Sequence, residues 1–324
     1  MINVAIAGYG NLGKGVDIAL EKSADMRCVG IFTRRNPRDV KSVTGSSVYS
    51  VSDIRDFKNK TDVLVLCGGS ACDLPQTAAE LLKVFNTVDT FDTHAKIPAY
   101  SRKLDETAKK YGKTCMFSVG WDPGLFSAAR LLFDSVLKDG KSYTFWGKGV
   151  SQGHSNAVKE IPGVKRAIAY TVPRTDAVRA AFAGENRDFT VREKHYRECY
   201  VVLDERADED RTREYIKSMP DYFSDYDTDV FFVSEEEFLL NHAQLPHGGD
   251  VIRSGITSAG KKTVLQFSLK TDSNPEFTGG IAVAAARAAY KLSKKGLKGA
   301  FSVFDVPLRY FSDRDDEYIR KTFL

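Results

Sequence analysis

The chain opens on an apolar run, Val4-Ala5-Ile6-Ala7, that breaks into Gly8-Tyr9-Gly10-Asn11-Leu12-Gly13 and continues with Val16, Ile18, Ala19 and Leu20. A short apolar run ending in glycine predicts a buried strand, and the spacing after it suggests a helix. The alternation then repeats. Strands are expected at residues 28–32, 62–67, 87–91 and 114–119. Helices are expected with Leu74, Ala78, Leu81, Leu82 and Phe85 on one face, and again over 97–111. Only the polar stretch leading to Tyr49 reads as mostly irregular. Strands and helices in alternation predict a doubly wound parallel sheet, which binds ligands beyond the carboxyl ends of its strands. Four loops qualify: 8–13, 68–70, 92–94 and 120–124.

After residue 124 the pattern changes. A helix over 125–137 leads to expected strands at 142–148, 165–172, 195–203, 229–233, 251–256 and 263–270, with a Gly/Ser/His/Asn loop after the first. In the last strand Thr263, Leu265, Phe267 and Leu269 alternate with Val264, Gln266, Ser268 and Lys270, as in an antiparallel or mixed sheet with one buried face. Residues 204–217 read as a solvated helix and 280–292 as an alanine-rich one. The expected fold is therefore α/β: a Rossmann-type doubly wound parallel sheet plus an α+β domain with a mixed sheet. The expected domains are 1–123, completed by 296–324, and 124–295.

The first turn has specific chemistry. Gly8 permits a tight turn, Gly10 lets backbone approach a pyrophosphate, and Gly13 lets helix pack against strand. The helix amino terminus supplies N–H groups to the anion. The second strand ends in Thr33-Arg34-Arg35, where NAD enzymes usually carry an acid for the ribose hydroxyls. Two guanidiniums without a carboxylate suit a ribose 2′-phosphate, so NADP is expected.

Bulk properties narrow the class. A length of 324 residues favours two domains, and 42% hydrophobic with 28% charged residues is ordinary for a soluble protein. The net charge of +4 is spread along the chain without a basic block, which argues against nucleic acid. No apolar run approaches the ~20 residues of a membrane span, and a strand beginning at residue 2 argues against a leader. The five cysteines, Cys28, Cys67, Cys72, Cys115 and Cys199, show no metal-type spacing. They read as free thiols in a reducing cytoplasm, and no metal is expected.

Several loops together resemble one family. Gly8–Gly13, Phe32-Thr33-Arg34-Arg35, Val88-Asp89-Thr90-Phe91-Asp92 and Gly120-Trp121-Asp122-Pro123-Gly124 look like meso-diaminopimelate dehydrogenase. So do Thr144-Phe145-Trp146-Gly147, Ser151-Gln152-Gly153-His154-Ser155, Met219-Pro220-Asp221-Tyr222-Phe223 and Leu245-Pro246-His247-Gly248-Gly249. The resemblance runs in order along essentially the whole chain. It implies a cytoplasmic homodimer, formed through the second domain, that oxidatively deaminates the D-centre of meso-2,6-diaminopimelate with NADP. The product, L-2-amino-6-oxopimelate, cyclises to tetrahydrodipicolinate in lysine and peptidoglycan synthesis. Implied cofactor contacts are Gly8, Tyr9, Gly10, Asn11, Leu12, Gly13, Thr33, Arg34, Arg35, Cys67, Gly68, Gly69, Ser70, Thr90, Phe91, Asp92, Val119, Gly120, Trp121, Asp122 and Pro123. Implied substrate contacts are Asp92, Trp121, Asp122, Trp146, Gln152, Gly153, Thr171, Arg197, His247 and Asn274. Thr33, where serine is also seen, and Asp250 after the double glycine are mild departures.

The chemistry fits these residue types. Asp92 and Asp122 follow strands of the first domain, and a carboxylate there attracts the reacting ammonium. Either can take the proton that frees the amine lone pair for hydride loss; Asp122 is the preferred base with Asp92 as partner. Binding by both, with water carrying protons, is the equal alternative. Arg197, Thr171, His247 and Asn274 suit the distal carboxylate and amine, His247 from a flexible Pro-His-Gly-Gly turn. Trp121 and Trp146 either wall off water or pack the core, and His154 orders its own loop. The rival functions are a broader D-amino-acid dehydrogenase, another NADP-dependent two-domain oxidoreductase acting on a sugar or cyclic imine, and a non-catalytic NADPH sensor.

Overall fold

β1 (Ile2–Ala7) lies inside a seven-stranded sheet, and Gly8 ends it in left-handed backbone at φ +99°. The computed structural model describes residues 1–70 and 72–324 and divides into two units, 1–128 with 275–324 and 129–274. The first unit continues with α1 (Asn11–Glu21), β2 (Met26–Thr33), β3 (Val48–Ser50), β4 (Val63–Leu66) and α2 (Leu74–Leu82). It then runs through β5 (Thr87–Asp89), α3 (Ile97–Tyr111), β6 (Thr114–Met116) and the start of α4 (Leu125–Val136).

In the second unit β7 (Gly140–Trp146) and β8 (Gly149–Val150) precede α5 (Gln152–Lys159) and β9 (Val164–Pro173). After α6 (Thr175–Ala183) and α7 (Val191–Lys194) come β10 (His195–Leu203), α8 (Glu209–Ser218), β11 (Thr228–Phe232) and α9 (Glu235–Asn241). A long hairpin, β12 (His247–Ser258) and β13 (Lys261–Thr271), completes it. The chain returns to the first unit through α10 (Asn274–Lys294), β14 (Gly299–Phe301) and α11 (Asp316–Phe323).

The large sheet has the order β14-β6-β5-β4-β1-β2-β3 with every pairing parallel. All four residues of β4 are buried, as a strand covered on both faces requires. One face packs Val16, Leu20, Ala282, Ala286 and Ala289, the other Leu74, Ala78, Leu82, Leu104 and Ala108. α1 and α10 cross so closely that a Cβ on Gly15 would lie 2.2 Å from the Pro275 carbonyl oxygen. Gly279 sits against Gly15 in the same crossing, which ties α10 to the first unit. The expected division at 123/124 and 295/296 therefore differs from the compact units, which add 124–128 and 275–295 to the first. A glycine-and-alanine helix face, read as merely alanine-rich, is the physical reason.

The second unit holds two sheets. β11-β10-β9-β8 is mixed, with β10–β11 parallel and the others antiparallel, while β13-β12-β7 is wholly antiparallel. Three local expectations change. The Gly/Ser/His/Asn stretch is not a loop but mostly helix α5, its Ser155 side chain buried and accepting from Ala169 N at 2.9 Å. His247 is not on a flexible turn; it begins β12, paired with Thr271 of β13. Finally, the apolar face of β13 is half-buried rather than buried, since Thr263, Leu265, Phe267 and Leu269 are only partly covered.

Candidate functional site

The first unit builds a phosphate-ready pocket from its glycine turn. A Cβ on Gly13 would lie 2.3 Å from the Gly8 carbonyl oxygen, so only glycine lets α1 pack here. Gly10 caps α1 without a side-chain hydrogen bond, and a Cβ there would meet no protein atom. The helix terminus thus remains open to an anion. A cavity of about 430 Å³ is lined by Gly8, Tyr9, Gly10, Thr33, Arg34, Arg35, Cys67 and Gly68 of the expected contacts, together with Phe32, Asp73, Leu74 and Thr77.

Each cation of this pocket has a defined anchor. Arg35 Nη2 donates to the Tyr9 carbonyl at 2.6 Å, and its backbone N–H donates to Thr33 Oγ1 at 3.2 Å. Arg34 forks onto Asp73 at 2.9 and 3.2 Å, while Asp73 Oδ2 also accepts from Gly69 N at 3.0 Å. The Gly69 N–H, with Arg34, holds the Asp73 carboxyl below the usual carboxylate range. Asp73 was invisible to the sequence reading, because its partner lies 39 residues away.

Tyr9 lines the cavity at the glycine turn. Its ring is buried, and its hydroxyl donates to Asp17 Oδ2 at 2.6 Å while accepting from Val43 N at 2.8 Å. Asp17, also buried, accepts from the hydroxyls of Ser42 (2.7 Å), Thr44 (2.7 Å) and Ser46 (3.0 Å). Burial pushes its carboxyl up, yet the four hydroxyl donors outweigh that and hold it low. This network fastens the 42–46 loop to α1 and braces the glycine turn from behind.

The remaining expected cofactor residues do not line this cavity. Asn11 is exposed and Leu12 packs on the core. Gly69, Ser70, Thr90, Phe91, Asp92, Val119, Gly120, Trp121, Asp122 and Pro123 follow the carboxyl ends of β4, β5 and β6. Asp92 is exposed, and its backbone N–H donates to Ser70 Oγ at 3.1 Å. Asp122 is half-buried and precedes a cis peptide bond to Pro123. The Phe91 ring is buried and stacks on Tyr100 at 4.1 Å. Trp121 is buried edge-on to Phe126, so core packing accounts for part of its role. Beneath these loops lies a buried acid the sequence reading passed over: Asp89, at the end of β5.

In the second unit Thr171 contacts a buried cation, Arg197, whose charge also reaches His247. Thr171 and Arg197 are directly opposed on β9 and β10, so their side chains share a face. Arg197 is only 5% exposed. Its Nη1 donates to Thr171 Oγ1, its guanidinium carbon stands 3.9 Å from the centre of the Tyr226 ring, and its Nε has no hydrogen-bond partner. Arg197 is thus a buried strand arginine rather than a solvated one.

Glycines let the neighbouring strands close in. A Cβ on Gly147 would lie 2.1 Å from the Thr171 carbonyl oxygen, and one on Gly149 would lie 2.4 Å from His247 Nδ1. Trp146 stacks on His195, and the Trp146 backbone N–H donates to His195 Nε2 at 2.9 Å. His154 bridges Ser151 Oγ and the Tyr222 carbonyl, both at 2.7 Å, and so does order its own segment. Gln152 and Gly153, on the first turn of α5, are exposed. Asn274 N donates to the Leu245 carbonyl at 2.9 Å, which places it beside the strand that begins at His247.

Electrostatics sharpen this cluster. Burial, then the Arg197 charge, pushes His154 down to about 4. Burial, then Lys194 and Arg197, takes His195 to about 3, and burial followed by Arg197 lowers His247 against the Gly248 bond. All three imidazoles are therefore neutral near pH 7, and the guanidinium carries the charge among them. One buried cation with an unsatisfied N–H calls for one carboxylate.

Proteins of known chemistry are similar to this chain over its whole length. The profile of the diaminopimelic acid dehydrogenase C-terminal domain matches residues 120–273. A meso-diaminopimelate D-dehydrogenase of Lysinibacillus sphaericus is 52% identical over 100% of this chain and 99% of its own. A crystal structure of a meso-diaminopimelate dehydrogenase variant from Clostridium tetani E88, with DAP, superimposes with a TM-score of 0.94 at 49% identity, covering 100% of both chains. An engineered D-amino acid dehydrogenase bound to NADP+ gives 0.88 at 40% identity, over 100% of this chain and 99% of the other. By full-length identity, by domain profile and by fold, the chain belongs to the meso-diaminopimelate D-dehydrogenase family.

Proposed function

We propose that this enzyme oxidatively deaminates the D-centre of meso-2,6-diaminopimelate with NADP, releasing ammonia and L-2-amino-6-oxopimelate, which cyclises to tetrahydrodipicolinate. The observation that carries the proposal is Arg197, a buried guanidinium with an unpartnered Nε, inside a chain of this family. A simple D-amino acid has no second carboxylate to satisfy it. Leaving such a group unpaired costs about 1–3 kcal/mol, which favours the double-headed substrate. The Clostridium tetani variant supports the same assignment. Its substitutions fall on a Gln, a Thr, an Arg, a Pro, a His and an Asn, spaced as Gln152, Thr171, Arg197, Pro246, His247 and Asn274 are spaced here.

NADP, when bound, supplies the hydride acceptor. Arg34 and Arg35 suit its 2′-phosphate, and the open terminus of α1 at Gly10 suits its pyrophosphate. The reacting ammonium needs carboxylates, which Asp92 and Asp122 offer. One of them accepts the proton that frees the amine lone pair and later assists the addition of water to the imine. The test is NADPH formation from separate meso-, LL- and DD-diaminopimelate and from D-lysine. Turnover of meso-diaminopimelate alone is expected; equal turnover of D-lysine would replace this proposal with a broad D-amino-acid dehydrogenase.

The enzyme acts in the cytoplasm as a homodimer. Among the described residues no helix is long and apolar enough to cross a membrane, and all five cysteines are free. On α4, Leu131, Leu132 and Val136 are 50%, 60% and 64% exposed, and β13 carries its half-covered apolar row in the same unit. Exposed apolar side chains grouped on one helix favour an interaction surface there. Leu132→Glu should shift sedimentation velocity from dimer to monomer; an unchanged dimer would remove α4 from the interface.

A further inference from the structure

Asp89 closes β5 with no exposed surface at all. Its Oδ1 accepts two backbone N–H groups, Phe91 at 3.0 Å and Ser118 at 3.1 Å, and its Oδ2 accepts from Tyr100 Oη at 2.8 Å. Its backbone carbonyl takes a third strand-end contact, from Val119 N at 3.0 Å. Phe91 directly precedes Asp92, and Ser118 and Val119 lead into Trp121-Asp122. One carboxylate therefore fastens both chains that leave the sheet toward the two acids. Ser118 is held in left-handed backbone at φ 53°, unusual for a residue with a Cβ, with its N–H aimed at this carboxylate.

We infer that Asp89 is a positioning residue whose carboxylate sets the spacing of the loops carrying Asp92 and Asp122. The inference rests on the assignment of those two acids to the reacting amine. What the strut requires is an acceptor oxygen at a fixed height between the two loops. Burial pushes the Asp89 carboxyl up to about 6, and three neutral donors rather than a cation hold it. The charge is thus incidental and the geometry is the function. Asparagine can keep the carbonyl oxygen on both N–H groups and turn its amide toward the Tyr100 oxygen. Glutamate keeps the charge but moves the acceptor by one methylene.

The test compares Asp89→Asn and Asp89→Glu for kcat, for the KM of meso-diaminopimelate and for NADP+ affinity by fluorescence titration. A displacement of about 1 Å at reacting groups costs about 100-fold, so kcat of Asp89→Glu should fall by that order with NADP+ affinity unchanged. Asp89→Asn should lose at most about tenfold, the worth of one altered hydrogen bond. Equal loss in the two variants, a glutamate better than asparagine, or NADP+ affinity falling with kcat would overturn the inference. Should Asp89→Glu not fold, Tyr100→Phe frees the same carboxylate to swing, and an unchanged kcat would overturn it as well. Asp92→Asn and Asp122→Asn run in parallel. If both retain full kcat, the assignment of the acids fails and the positioning role falls with it. If they lose kcat while Asp89→Glu does not, only the positioning role fails.

Discussion

Arg197→Ala is expected to raise the KM for meso-diaminopimelate by about 30- to 1000-fold while NADP+ affinity stays within threefold. Removing one partner of a buried, hydrogen-bonded charge pair costs about 2–5 kcal/mol, and each 1.4 kcal/mol is about tenfold. The lower part of that range applies because the Thr171 hydroxyl, released from Arg197, remains beside the vacated position. The contact would be made equally in ground and transition states, so KM should move more than kcat. A second outcome follows from the free enzyme. Arg197 is held below its ordinary basicity mainly by burial, with only Tyr226 working in the other direction. An incompletely compensated buried charge is a destabilising element, so replacing it with Met should leave Tm unchanged or raise it. A variant that binds substrate poorly yet melts no earlier would separate function from folding in one measurement. Unchanged KM, or lost NADP+ affinity, would remove Arg197 from the substrate site.

Much of this arrangement is legible in the amino-acid sequence, and the reasons are physical. The glycine turn was readable because three constraints meet there, and Gly8 and Gly13 show two of them directly as a positive φ and an overly close Cβ. The burial of Arg197 was legible in principle. In β10 His195, Arg197, Cys199 and Val201 all point inward, so the arginine stands on the apolar row. Asp17 gave the same kind of sign on α1, where it shares a stripe with Gly13, Val16 and Leu20. An acid on an apolar face calls for buried donors, and here they arrive from a loop some 25 to 29 residues away. Helix α5 was hidden because Gly153, Ser155 and Asn156 have weak helical preference, and packing against β9 decides the matter. Asp89 and Asp73 were missed for a common reason: their donors are backbone N–H groups and distant side chains, which leave no mark in local pattern.

Asp122→Asn should lower kcat by about 10²- to 10⁴-fold, the usual worth of a positioned proton acceptor, with NADP+ affinity intact. Asparagine keeps size and one acceptor oxygen, so the amine can still be oriented, but the side chain no longer takes its proton near neutral pH. Asp92→Asn supplies the comparison. Asp92 is exposed and tied to Ser70 only through its backbone, whereas Asp122 is half-buried on a loop braced from beneath by Asp89. The more enclosed acid is the better candidate for holding a proton in transit, because exclusion of water strengthens its interaction with a charged amine. A larger kcat loss for Asp122→Asn therefore identifies it as the base. Equal modest losses, expressed mainly in KM, would mean that both acids only bind the ammonium and that water carries the proton.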